Sequence, residues 1–235
     1  MKNRVNSFYN RIFKRIIDII GSLAGLIILS PIFLFAIRKN KSKRDLSLIY
    51  SEKTANAAAV YTTNLVKGAP LTVTKQHISD GFARAIICNS GNANTCNANG
   101  IEIAEQMSDL TAKALNIDPK DIVVASTGVI GQILPIEPIE KAMPELVMSL
   151  CVSQHLEAAT AIMTTDTFAK EYAVTFEIDG KRCFIGGMAK GSGMIHPNMA
   201  TTLNFITTDC AISVSMLQKA LSEIVKITYN CLSVD

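Results

Sequence analysis

An α/β fold is predicted by three observations. Short apolar runs alternate with amphipathic stretches, an Asp179-Gly180 pair separates two strand-like segments, and a helical apolar face lies close to the end of the 235-residue sequence. In chain order, residues 46–50, 58–62, 83–88 and 122–125 are short apolar runs that read as strands. Residues 101–115 place Ile103, Met107, Leu110 and Ala114 on one face behind an Asn99-Gly100 turn, so a helix is expected there. Residues 171–178 and 181–185 flank Asp179-Gly180, a dipeptide suited to the left-handed positions of a two-residue hairpin. Residues 213–229 carry Leu217, Leu221 and Ile224 beside Met216, Ala220 and Val225, an amphipathic helix expected to face the core.

An apolar helix is expected to precede this α/β unit. Residues 19–37 contain no charge and approach a bilayer core in length at about 1.5 Å per residue, but Ser30 and Pro31 interrupt them. Arg11, Lys14 and Arg15 lie on one side, and Arg38, Lys39, Lys41, Lys43 and Arg44 on the other. Basic residues at both ends favour a bent, re-entrant helix with both ends cytoplasmic over a span. The run FYNRIFKRIIDIIGSLAGLIILSPIFLFAI, residues 8–37, resembles the N-terminal membrane helix of bacterial sugar transferases, the monotopic phosphoglycosyl transferases. Residues 1–37 are therefore expected to form this helix, with inner-membrane association, and residues 38–45 a basic linker.

Residues 1–45 carry a net charge of +8 and the remainder −5, so the overall +3 implies no basic nucleic-acid surface on the main domain. Its partners are expected to be small molecules. The six cysteines form no CxxC pair and several sit in apolar runs, which suggests reduced, buried thiols in a cytoplasmic protein. His77, His155 and His196 have no partner ligand at short spacing, so no metal is expected. The glycines of GGMAKGSG lack the spacing of a phosphate loop.

The chemistry concentrates in KGSGMIHPNMATTLNF, residues 190–205, where a glycine-studded loop delivers Ala200 onto Thr201 ahead of an apolar strand. A threonine hydroxyl needs a base at neutral pH, and a threonine at a new chain terminus carries one in its own α-amino group. Gly191 and Gly193 permit the sharp turn that attack on the preceding carbonyl requires. The segment reads as a self-cleavage site with N-terminal-nucleophile character; on spacing alone it also reads as a Gly-rich turn before a strand.

The blocks RKNKSKRDLSLIYSE, ANAAAVYTTNLVKGAP, ARAIICNSGNAN, VASTGVIGQILP, AIMTTDTFAKE and IGGMAKGSGMIHPNMATTLNFITTD resemble the ornithine acetyltransferase (glutamate N-acetyltransferase) family of arginine biosynthesis from about residue 38 to 235. The resemblance implies an ornithine acetyltransferase-type α/β sandwich, here incomplete, with residues 46–235 as a partial acetyltransferase domain. It implies cleavage between Ala200 and Thr201 into α and β segments. Thr201 would then take acetyl from N-acetylornithine and pass it to glutamate through an acetyl-threonine intermediate. Thr127 and Gly128 match the oxyanion-stabilising pair, and Thr164, Lys190 and Thr201 match substrate-binding positions. His196 is read as a turn residue before Pro197. No cofactor is implied; acetyl-CoA as a second acetyl donor, with amino-acid N-acetyltransferase activity, is left open. The complete protein is expected to be an oligomer of αβ units.

Two departures accompany the resemblance. The apolar segment stands in place of the family's own N-terminus, which reads as a joining of two unrelated frames near residues 36–38. The sequence also stops 35 residues into the β segment, where strand edges and apolar faces should be exposed and the chain alone is expected to be inactive. The alternatives are a membrane-anchored sugar transferase fragment, whose catalytic Asp-Glu pair does not follow the apolar run, and a non-catalytic domain of the same fold. A different amidase or aminopeptidase with an N-terminal nucleophile is a further alternative.

Overall fold

A computed structural model describes residues 43–193, 195 and 201–232. Ala200, His196 and the apolar 1–37 segment lie outside these residues, as does most of the basic 38–45 run. The elements below all belong to the unit Arg44–Asp235. In order they are β1 (Leu46–Asn56), α1 (Ala69–His77), β2 (Phe82–Asn89), α2 (Gly100–Leu115), β3 (Ile122–Ser126), α3 (Glu137–Met148) and α4 (His155–Ala161). Then follow β4 (Lys170–Ile178), β5 (Lys181–Lys190), β6 (Leu203–Thr208) and α5 (Val214–Ile227). Among the described residues, no helix is long and apolar enough to cross a membrane.

The strands form two three-stranded sheets, ordered β1-β2-β3 and β4-β5-β6. In the first sheet β1 runs antiparallel to β2, and β2 runs parallel to β3. A parallel pair needs a crossover, and α2 supplies it. Side chains alternate across the sheet. Ala85, Ile87, Ile122 and Val124 pack with Val73 of α1 and Ile103 and Met107 of α2 in one cluster. The residues next along the strands, Cys88 and Ala125, turn to the other face, where they join Ile162 against Met188, Leu203 and Phe205 of the second sheet. Helices thus cover one face of the first sheet, and the ends of β5 and β6 meet the other.

Among the described residues no strand pairs with the outer edge of β3, and α1 satisfies that edge with side chains. The Thr74 hydroxyl donates to the Val124 carbonyl at 2.7 Å and accepts from the Val124 amide at 2.9 Å. His77 Nδ1 lies 2.8 Å from the Ile122 carbonyl. Buried backbone groups that a neighbouring strand would pair are thereby satisfied. The expected hairpin is present: β4 and β5 pair without a break from Ile178↔Lys181 to Lys170↔Ala189. Asp179 and Gly180 take φ of 50° and 73°, the two left-handed positions such a turn demands.

Several expectations are corrected. Strand β1 extends to Asn56, and residues 58–62 join no strand. The partner they find is a side chain: Gln218 Oε1 accepts from the Ala59 amide at 3.3 Å, and its Nε2 donates to the Ala59 carbonyl at 3.2 Å. One amide group thus serves Ala59 as a strand neighbour would. In α2 the buried face is Ile103, Ala104, Met107, Ser108, Thr111 and Ala112, while Ala114 is exposed, because small polar residues share the stripe with apolar ones. Helix α5 buries only Val225, and Met216 and Ile224 are each 54% exposed, so it is not the core helix its pattern suggested. Of the six cysteines only Cys88 is buried; Cys96, Cys151 and Cys231 are exposed and Cys183 and Cys210 half-buried, all as free thiols. The second sheet leaves Tyr172, Val174, Phe184 and Ile206 exposed.

Replacing Gln218 with Ala removes both hydrogen bonds to Ala59 and should cost about 1 to 2 kcal/mol. Amide hydrogen exchange at Ala59 should speed up while exchange in β2 stays slow; unchanged exchange at Ala59 would contradict the pairing.

Candidate active site

The parallel register of β2 and β3 determines where the first site residues fall. The strands pair Ala85 with Ile122 through Asn89 with Ser126, break for two residues, and meet again at an isolated Asn92↔Val129 bridge with the same offset. Thr127 and Gly128 occupy the break. The Thr127 amide donates to the Asn89 carbonyl at 2.8 Å, and the Ala93 amide to the Val129 carbonyl at 2.9 Å. Gly128 has φ +125°, and a Cβ there would sit 2.9 Å from the Asn92 nitrogen and from the Gly91 carbonyl carbon. Only glycine fits both the angle and the space. Among the described residues the Gly128 amide has no hydrogen-bond acceptor.

Asparagines brace this break from below. Asn89 Nδ2 donates to the Asn92 carbonyl at 2.8 Å, and Asn89 Oδ1 accepts from the Gly91 amide at 2.9 Å. Asn92 Nδ2 reaches the Gln132 carbonyl at 3.0 Å, tying the NSGNAN loop to the loop after β3. Short amides that bond nearby backbone suit a buried, non-repeating turn.

The second sheet contributes Lys190, the last residue of β5, paired with Leu203 at the start of β6. Its ammonium donates to Thr164 Oγ1 at 2.6 Å and to Thr127 Oγ1 at 3.2 Å. Three of the residues singled out from sequence, on three separate segments, therefore share one point. An ammonium has donors and no lone pair, so both threonine oxygens accept from it and their own hydroxyl protons point elsewhere. Thr201 lies at the base of the loop joining β5 to β6, two residues before β6, and is exposed. Its neighbour Thr202 donates its hydroxyl to the Lys190 carbonyl at 3.0 Å. A Cβ added to Gly191 would lie 3.6 Å from the Thr201 carbonyl oxygen and 2.7 Å from Ile195 Cδ1. Gly191, at φ +147°, is thus the close approach that the loop requires. Ala200, the other side of the expected cleavage bond, lies outside the described residues, as does His196.

Sequence reasoning missed Asp166. Its side chain is fully buried, yet it takes three hydrogen bonds. Lys170 Nζ donates to Oδ1 at 2.6 Å, the Gly191 amide to the same oxygen at 2.8 Å, and the Thr164 amide to Oδ2 at 3.2 Å. One carboxylate thus holds the Thr164 loop against the start of the Thr201 loop. Thr165 and Ser192, joined through their hydroxyls at 2.8 Å, repeat the link. The available signal was the MTTDTFAK string, with Lys170 four residues beyond Asp166. Burial pushes the Asp166 carboxyl up, but the bonds from Lys170, Gly191 and Thr164 outweigh it and hold it at about 2, below an ordinary 3.8. Beneath the site, burial raises Cys88 to about 12 against the opposing pull of the Lys190 charge, so this thiol stays protonated at neutral pH and is no rival nucleophile.

The Asp166 shift makes a signed prediction. A carboxyl depressed in the folded state stabilises at pH above its unfolded value, and that contribution is lost as pH falls from about 4 towards 2. The lost contribution is about 2 kcal/mol. Urea unfolding between pH 7 and pH 2.5 should show this loss, and Asp166→Asn should flatten it while lowering stability at pH 7 by roughly 3 kcal/mol. A variant as stable as the parent at pH 7 would contradict the clamp.

The sequence profile of the ArgJ family matches residues 33–235. The arginine biosynthesis bifunctional protein ArgJ of Caldanaerobacter subterraneus subsp. tengcongensis is 49% identical over 196 residues, covering 83% of this chain and 49% of that protein. Its counterpart in Bacillus anthracis is 47% identical over 202 residues, covering 85% and 50%. This chain spans about half the length of the curated relatives it matches. Two crystal structures share the fold. The arginine biosynthesis bifunctional protein ArgJ of Bacillus halodurans superposes with a TM-score of 0.63 at 39% identity, over 69% of this chain and 85% of that one. The ornithine acetyltransferase of Mycobacterium tuberculosis, complexed with ornithine, gives 0.55 at 32%, over 68% and 84%. With most of its length matched by the family profile and by relatives near one-half identity, the chain belongs to the ArgJ family.

Proposed function

We propose that this chain carries the first half of a glutamate N-acetyltransferase that cuts itself between Ala200 and Thr201 and then moves acetyl from N-acetylornithine to glutamate through an acetyl-threonine. The observation that carries the reading is Lys190, at the end of the strand that leads into the Thr201 loop, whose ammonium bridges Thr127 and Thr164 on two other segments. In this reading the Thr201 hydroxyl attacks the Ala200 carbonyl, the peptide C–N bond breaks as an ester forms, and water hydrolyses that ester, leaving a carboxylate on Ala200 and both a free hydroxyl and a free α-amino group on Thr201. That amine takes the hydroxyl proton when Thr201 attacks the acetyl carbonyl of N-acetylornithine. The negative oxygen that develops meets the unaccepted Gly128 amide and the Thr127 hydroxyl, whose proton Lys190 turns away from itself. Ornithine leaves, and the glutamate amine attacks the acetyl ester in the reverse sense. Each half is an acyl transfer that the same oxyanion donors serve.

Lys190 and Thr164 are read as the substrate anchor, because both substrates are amino acids with carboxylates and a fixed cation suits them. The ornithine bound in the Mycobacterium tuberculosis relative supports substrates of this class. In the same proposal residues 1–37 form an apolar helix and 38–45 a linker, an ornithine acetyltransferase-type sandwich starts at residue 46, and the complete protein is an oligomer of αβ units. Acetyl-CoA as a second donor is a variant of the same chemistry.

A protein of the relatives' full length carrying these residues should give two masses that divide at Thr201, and Thr201→Ala should give one. A single uncut mass from the parent would sink the proposal. The two substrates should give parallel double-reciprocal plots; intersecting plots would exclude the acetyl-threonine. Thr127→Ala should lower kcat by about 100- to 1000-fold, the usual effect of one lost oxyanion donor. Lys190→Ala should chiefly raise KM if the ammonium anchors substrate.

A further inference from the structure

We propose that Cys183 and Cys210 are a disulfide-forming thiol pair that ties the chain before the Ala200-Thr201 bond to the chain after it. Strands β5 and β6 pair Ile185 with Thr208, and the same antiparallel register continued by two residues sets Cys183 opposite Cys210. Side chains carry the pairing past the end of β6. Asp209 Oδ1 accepts from the Phe184 amide at 2.7 Å, and the Thr208 hydroxyl donates to the Phe184 carbonyl at 2.7 Å. The Cys210 amide donates to the Thr208 hydroxyl at 3.1 Å, which holds the second cysteine in place. Residues directly opposite in antiparallel strands have Cα atoms about 4.5 or 5.5 Å apart, and both values fall within the range of disulfides. Partial burial, the facing Cys210 and Asp209 raise the Cys183 thiol, against a weaker pull from Lys181. Both are half-buried, so a small oxidant reaches them.

The oxidation needs a two-electron acceptor, and a low-molecular-weight disulfide such as glutathione disulfide is the class that fits. One cysteine thiolate attacks it, expels one glutathione thiolate and forms a mixed disulfide. The facing thiolate then displaces the second glutathione. Two protein thiols lose two protons and two electrons, and one glutathione disulfide becomes two thiols. The pairing stands by itself, whereas its consequence rests on the proposed cut. Once the backbone opens at Thr201, the bond would be a covalent tether between the two segments.

The test treats the 235-residue chain, and separately its Thr201→Ala variant, with glutathione disulfide. Free thiols are then alkylated, and the protein is digested with trypsin without reduction. Trypsin cuts after Arg182, Lys190 and Lys219, so the expected product links peptide 183–190 to a second peptide that carries Cys210. That second peptide begins at Gly191 in uncut protein and at Thr201 in cut protein, so pairing and cleavage are read separately. Exposed Cys96, Cys151 and Cys231 should stop at mixed disulfides, and Cys183→Ser should leave Cys210 as a mixed disulfide too. Recovery of Cys183 and Cys210 as separate alkylated or glutathione-bearing peptides in the parent would overturn the proposal.

Discussion

The site depends on one constraint: an ammonium at the end of a strand must find oxygen acceptors, and Lys190 finds them on two segments of the other half of the fold. Its bonds to Thr127 and Thr164 exist because the two sheets meet through Cys88, Ala125 and Ile162 on one side and Met188, Leu203 and Phe205 on the other. The apolar contact sets the distance between sheets, and the charge sets their alignment at the open end. A shift of the β5 register by one residue would turn Lys190 to the opposite face and replace it with Ala189 or Gly191. The unbroken hairpin pairing that begins at Asp179-Gly180 is therefore part of the site, although it lies at the far end of the strand.

Charge is managed there by pairing. The Asp166 carboxylate, fully buried, is compensated by Lys170 and two backbone amides, and hydrogen bonds to the charged form favour it. The result is a short brace between the Thr164 loop and the Gly191 turn.

Local signals were legible in the sequence, and contacts between distant segments were not. The Asp179-Gly180 turn, the amphipathic α2 and the β2 and β3 strands follow from neighbours two to four residues apart, and each is present with boundaries shifted by a residue or two. Residues 58–62 look like a strand by composition, but their partner is the Gln218 side chain, 159 positions away from Ala59. The pattern of α5 is apolar on one face, yet that face is largely uncovered, because burial depends on what packs against a helix. Thr201 stands out from its Gly-rich loop and the Ala200-Thr201 junction alone, whereas Thr127, Gly128, Thr164 and Lys190 come through family motifs. Nothing in their spacing foretold that Lys190 would bridge two of them, or that Asp166 would join the segments from beneath.

The central claim is that Thr201 carries the acetyl group. A full-length protein of this sequence, incubated with N-acetylornithine in the absence of glutamate and quenched in acid, should yield a β-segment N-terminal peptide heavier by one acetyl group. That group should be on Thr201, removed by hydroxylamine as an ester is, and lost when glutamate is added before the quench. An unmodified Thr201 peptide from protein that turns over both substrates would contradict the account.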